Sequence, residues 1–173
     1  HEGHDHGPGG DPHGTIEGLK RKLPWTDATL EAAARIAVQD GGRIKPLSTY
    51  AAFTLLRLNG KRSVEISEDE TIDATTWLLD VLFFPLGAAE YEHFLVENDE
   101  VIAAMGLRLS GKKKRDRYSY VELQPGFEKL FGLAGEYGHL EDKTPLQEQI
   151  VILASNVTTF VNLVGQMDFA RQP

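Results

Sequence analysis

Val38-Gln39-Asp40-Gly41-Gly42-Arg43-Ile44-Lys45-Pro46-Leu47-Ser48-Thr49-Tyr50-Ala51 reads as one mechanical unit. The Gly41-Gly42 pair takes φ > 0 without Cβ strain and so allows a tight reversal. Beyond it the chain is extended through Arg43-Ile44-Lys45, because the residue before a proline is pushed out of the helical region. Pro46 ends that run. Ser48 or Thr49 is then placed to cap the first free N–H groups of a helix carrying Phe53, Leu55, Leu56 and Leu58. The stretch predicts strand, turn, short strand and helix.

Upstream, residues 1–24 are polar, rich in Gly, Pro and His, and without period. They predict a disordered tail ahead of one globular domain over 25–173. Thr26 or Asp27 can cap a short helix from Ala28 to Arg35. Downstream, Asn59-Gly60 is a turn, Ser63-Val64-Glu65-Ile66 alternates as a strand does, and Glu68, Asp69 and Glu70 make an acidic loop. Thr71 to Phe84 carries Ile72, Thr76, Leu79 and Phe83 at helical spacing, stopped by Pro85 and Gly87. Phe94-Leu95-Val96 predicts a strand, and Asn98 or Asp99 opens a helix that reaches Gly106. The basic segment after it reads as a loop, and Pro125-Gly126 with the glycines that follow breaks 124–143 into short pieces.

The last element is the best defined. Thr144 with Gln147 has the spacing of a capping box, and Pro145 suits a helix start. Leu146, Ile150, Leu153, Val157, Phe160, Val164 and Met167 then recur every three or four residues, an apolar seam along about six helical turns. The expected role of that seam is packing against the rest of the domain. Together these elements predict a mainly α or helix-dominated α+β domain with one small β-hairpin.

A length of 173 residues, 41% hydrophobic and 25% charged, is enough to bury a core without staples and is typical of a soluble globular chain. Apolar runs are cut by Asp80, Pro85 and Glu90, or by Asn156 and Asn162, before they reach the roughly 20 residues a bilayer requires. No signal peptide opens the chain, as expected of an excised piece or a mature form. With no cysteine there is no disulfide, thiolate metal site or covalently attached c-type haem. The net charge of −8 is uneven: Arg108, Lys112, Lys113, Lys114, Arg115 and Arg117 face Asp116 alone, and the remainder is strongly acidic. An acidic body argues against nucleic acid as a partner.

The segment from Val38 to Ala51 resembles the "VQ-x-G-GRIKPL-x-T-x-A" stretch of bacterial membrane proteins that mature c-type cytochromes, the fused synthases of the System II route. The likeness continues more loosely in Trp77-Leu78-Leu79-Asp80 up to Pro85, in Met105-Gly106-Leu107 and in Arg117-Tyr118-Ser119-Tyr120, spanning residues 34–165. The resemblance implies an extracytoplasmic (periplasmic) domain of a haem-handling protein anchored in a bacterial membrane. Its partners would be the remaining membrane segments of the parent and apocytochrome c. It brings no active site with it, because the family's Trp-rich haem loop and haem-ligating histidines lie in membrane-associated segments with no counterpart here. The domain itself is therefore expected to hold no haem and to be non-catalytic.

Several residues carry chemistry of their own. His1, His4, His6 and His13 alternate with Glu2, Asp5 and Asp11, ligand types that suit zinc, copper or nickel. In a floppy segment such a site would be weak, since binding must also order the chain. That pattern supports a rival reading, a periplasmic divalent-metal-binding protein. The lone His93 and His139 are expected to be core or surface residues rather than ligands. Gly41, Gly42, Arg43, Lys45 and Pro46 form the candidate structural or partner-binding motif: Arg43 and Lys45 share one side of a strand and could hold a carboxylate, including a haem propionate. The alternative is an internal ion pair of Arg43 with a nearby acid such as Asp40. Lys112 to Arg117, with Tyr118 and Tyr120 beside it, would suit anionic lipid head groups at a membrane surface.

Overall fold

Along residues 20–171, which the computed structural model describes, the order is α1 (Asp27–Ala34), β1 (Ala37–Asp40), β2 (Arg43–Pro46), α2 (Leu47–Asn59), β3 (Ser63–Glu65), β4 (Thr71–Asp73), α3 (Ala74–Phe83), α4 (Pro85–Ala88), β5 (Phe94–Val96), α5 (Glu100–Ala104), β6 (Asp116–Tyr118), α6 (Tyr120–Leu123), a 3-10 turn (Gln124–Gly126), α7 (Phe127–Tyr137), α8 (Pro145–Gly165) and α9 (Asp168–Arg171). The class is helix-dominated α+β. Its strands form three two-stranded antiparallel sheets, β1–β2, β3–β4 and β5–β6, where the sequence predicts one hairpin.

The centre is α3. From Ala74 to Leu82 it is mostly apolar and buried almost throughout, the signature of a helix enclosed by others. It packs against α1, α2, α4, α8 and the β3–β4 pair. The helix is shorter than its periodicity predicts, because residues 71–73 pair with β3 and Asp73 becomes the N-cap, its carboxylate accepting from the Thr76 N–H at 2.8 Å. The capping box at Thr144 and Gln147 forms as expected. The α8 seam packs into the core through Ile150, Leu153, Val157 and Phe160, with α7 laid along it.

Two other expectations are corrected. Residues 124–143 are not chopped into short pieces: α7 runs unbroken through Gly132 and Gly135, which lie on its exposed side. The apolar stripe of Phe127, Leu130, Leu133, Ala134 and Tyr137 outweighs the roughly 1 kcal/mol of helix propensity that each glycine costs. Asp116 and Arg117, read as part of the basic loop, belong instead with Tyr118 to β6, which pairs with β5 in a long-range ladder that local pattern does not encode. Arg117 then extends to the end of α2, its Nε donating to Asn59 Oδ1 at 2.6 Å and its Nη2 to the Asn59 carbonyl at 2.9 Å. A cation there complements the helix C-terminus, whose chain turns away at Gly60 with φ 72°.

Ahead of α1, Lys20 pairs with Glu90 and Arg21 with Asp80. His1, His4, His6 and His13 lie outside the described residues.

Candidate functional site

The Gly41-Gly42 unit folds as predicted and is exposed. Gly41 and Gly42 have φ 58° and 74°, the positive pair of a type I′ turn, whose twist matches a two-residue hairpin. The register sets Asp40 opposite Arg43, Gln39 opposite Ile44 and Val38 opposite Lys45. Ser48 and Thr49 do not cap α2. The helix starts directly after Pro46 with no side-chain cap, and the Leu47 N–H instead continues the ladder to the Ile36 carbonyl at 2.7 Å.

Nor does Arg43 pair with Asp40. Lys45 takes that carboxylate at 2.7 Å, while Arg43 is exposed and has no side-chain partner among the described residues. Lys45 lies on the same face as Val38, which packs on the core, so its ammonium reaches along the strand to Asp40. On the opposite face Ile44 is 78% exposed, beside exposed Gln39 and Ala37. An alanine at Gly41 or Gly42 meets no atom but must hold the left-handed region, so each substitution should cost about 1 kcal/mol. Arg43→Ala should leave the melting temperature unchanged, because it removes no buried contact. Thermal denaturation of the three variants checks both statements.

The lysine-rich loop is largely consumed internally. Lys112 bonds Glu92 at 2.5 Å and Glu122 at 3.2 Å. Burial alone would lower its pKa, and these two carboxylates outweigh that and raise it. Arg115 pairs with Glu97, and Arg117 holds Asn59. Lys113 and Lys114 are left without a side-chain partner among the described residues, a smaller cationic patch than the sequence suggests.

One buried polar group, Asp80, reads in the sequence only as a break in an apolar run. Asp80, fully buried on α3, accepts from Arg21 Nε (2.8 Å), Trp25 Nε1 (2.8 Å) and the Tyr91 hydroxyl (2.8 Å). Burial first, then the carboxylate, pushes the Tyr91 hydroxyl up. An acid inside a helix that is otherwise mostly apolar was the available signal, since such a group is retained only when paired. Its partners lie 59, 55 and 11 residues away in sequence and were not legible.

His93 is enclosed by Trp77, Phe94 and Phe160, with ring centroids 5.9, 4.6 and 4.9 Å from its own. Its Nδ1 accepts from Trp77 Nε1 at 3.4 Å, its Nε2 has no partner, and burial lowers its pKa to about 3. It is thus a neutral core residue, and a haem could reach it only by opening the core. His139 is exposed. Among the described residues no group of three or more His, Cys, Asp or Glu side chains could hold a metal ion, and no helix is long and apolar enough to cross a membrane.

A cleft of about 870 Å³ lies where α1 meets α3 and the chain end, walled by Trp25, Ala28, Ala32, Ile36, Phe83 and Phe84. Thr29 and Arg171 are the polar side chains of its lining, which includes no carboxylate or imidazole among the described residues. Compared with known proteins, the chain matches no family model and no curated protein.

Proposed function

We propose that this chain is a non-catalytic extracytoplasmic module of a bacterial membrane protein of cytochrome c biogenesis, positioning the parent's membrane segments or the apocytochrome for haem attachment. The resemblance of residues 34–165 to the fused System II synthases supports this reading. One observation carries it further: within the segment of strongest resemblance, Leu47 and Ala51 are core, but the hairpin residues Arg43 and Ile44 are exposed. Ile44 and Arg43 are displayed on the hairpin, where Ile44 is 78% exposed and Arg43 makes no ion pair among the described residues. Large apolar residues placed outward on a rigid turn are what a recognition surface requires. Haem would be handled by the parent protein, with this domain supplying geometry.

The test is made in the full-length parent protein. Ile44→Asp and Arg43→Ala are introduced separately, and haem-stained c-type cytochrome is measured beside the amount of parent protein in the membrane. Loss of cytochrome with undiminished parent protein is the expected result. Normal cytochrome levels in both variants would overturn the reading.

A further inference from the structure

We propose that the β1–β2 ribbon takes an extended peptide as a third strand along the free edge of β2, with an apolar side chain of the peptide on Ile44 and an acidic one beside Arg43. The proposal rests on reading the hairpin as a recognition surface, and it is independent of which machinery the parent serves.

The edge follows from the register. In a two-residue hairpin the residues flanking the loop, Asp40 and Arg43, exchange both backbone hydrogen bonds, and the pairs then alternate. Val38 and Lys45 bond inward, and the Leu47 N–H to Ile36 carbonyl bond keeps the phase. Ile44 is therefore out of phase: its N–H and C=O point away from β1, and no other strand pairs with β2 among the described residues. A two-stranded ribbon is marginal by itself in water, and an added strand is the usual way such an edge is completed.

Side-chain chemistry selects the occupant. Strand alternation puts Ile44 on one face and Arg43 with Lys45 on the other. Lys45 is neutralised by Asp40, which leaves Arg43 as an unpaired cation at the tip of a chain whose net charge is −8. A third strand places one residue directly opposite Ile44, within the 4.5–5.5 Å of a cross-strand pair, and its neighbour opposite Arg43. Apolar next to acidic is the complementary sequence. The free edge of β1 offers exposed Ala37 and Gln39, and the one charge of that strand, Asp40, is already paired with Lys45. Pro46, lacking an N–H, stops the ladder, so the peptide is short.

The probe is the peptide acetyl-Ser-Glu-Val-Glu-Ser-amide, titrated into the isotopically labelled chain and followed by amide chemical shifts. Three controls accompany it: the peptide with lysine for both glutamates, the peptide N-methylated at valine, and the Ile44→Asp and Arg43→Glu chains. The expected shifts fall on Arg43, Ile44 and Lys45. Affinity should drop about tenfold or more with the lysine and N-methyl peptides. Ile44→Asp should abolish binding, and Arg43→Glu should reverse the charge preference. Equal binding of the N-methyl peptide, shifts centred on another surface, or no shift at millimolar peptide would each overturn the proposal. If the peptide fails while hairpin variants still block cytochrome maturation, strand addition falls and the proposed function stands. If it binds while those variants mature cytochrome normally, the reverse holds.

Discussion

Asp80→Ala should cost the domain about 3–5 kcal/mol, the range expected when one partner of a buried pair is removed. The Asp80 carboxylate is wholly buried and is the shared acceptor for Arg21, Trp25 and Tyr91. Its loss strands a guanidinium whose side chain is only 15% exposed, together with an indole N–H and a phenol. Each stranded donor retains its desolvation penalty with no bond to offset it. Arg21→Ala should be damaging for the complementary reason, since it leaves a buried carboxylate with two neutral donors. Replacing both, as Asp80→Leu with Arg21→Met, should recover part of the loss, because an apolar pair of similar volume avoids burying charge at all. Urea denaturation at neutral pH measures all four chains. A loss below about 1 kcal/mol for Asp80→Ala would mean that the segment from residue 20 is not held by this group.

Acid should destabilise the domain well before its carboxylates titrate, through His93. Its folded pKa is depressed to about 3 by burial, against 6.5 for the free side chain. Between those values the unfolded chain binds one proton that the native chain does not. Stability from this group is therefore fully present above pH 6.5 and declines as the pH falls, by roughly 1.4 kcal/mol per unit. At pH 4.5 the loss is roughly 3 kcal/mol, a large part of what a single domain possesses. His93→Phe should flatten the slope between pH 6.5 and 4.5, since phenylalanine fills the aromatic cage without a protonation site and removes the unpartnered Nε2. Asp116, held below the usual carboxylate value first by the Lys113 N–H, contributes stability that is lost only at more acidic pH, below its unfolded value. Urea midpoints at pH 7, 5.5 and 4.5 separate the two. Equal slopes for the wild-type and His93→Phe chains would mean that His93 is hydrated and protonated in the native state.

Elements that depend on near neighbours were legible in the sequence. The Gly41-Gly42 turn, the Thr144 capping box and the α8 seam each follow from residues within a few positions of one another: two glycines that tolerate φ > 0, a reciprocal side-chain cap, and a 3.6-residue period. Helix-dominated α+β follows from the sum of such local signals.

What sequence by itself did not determine were pairings across distance. β6 is a strand because β5 lies beside it, and α7 survives two glycines because α8 covers its apolar face. Asp40 is taken by Lys45 and not by Arg43, although the register puts both basic residues on its face: Lys45 is half-buried there, while Arg43, at the tip, is exposed. His93 looked the same as His139 in the sequence, a lone imidazole, until Trp77, Phe94 and Phe160 closed around it. Residue type and spacing set local conformation through sterics and hydrogen bonding along the chain. Burial, and with it the charge state of a histidine or the partner of an aspartate, is a property of whichever distant segments exclude the water, and that is decided only when the tertiary structure forms.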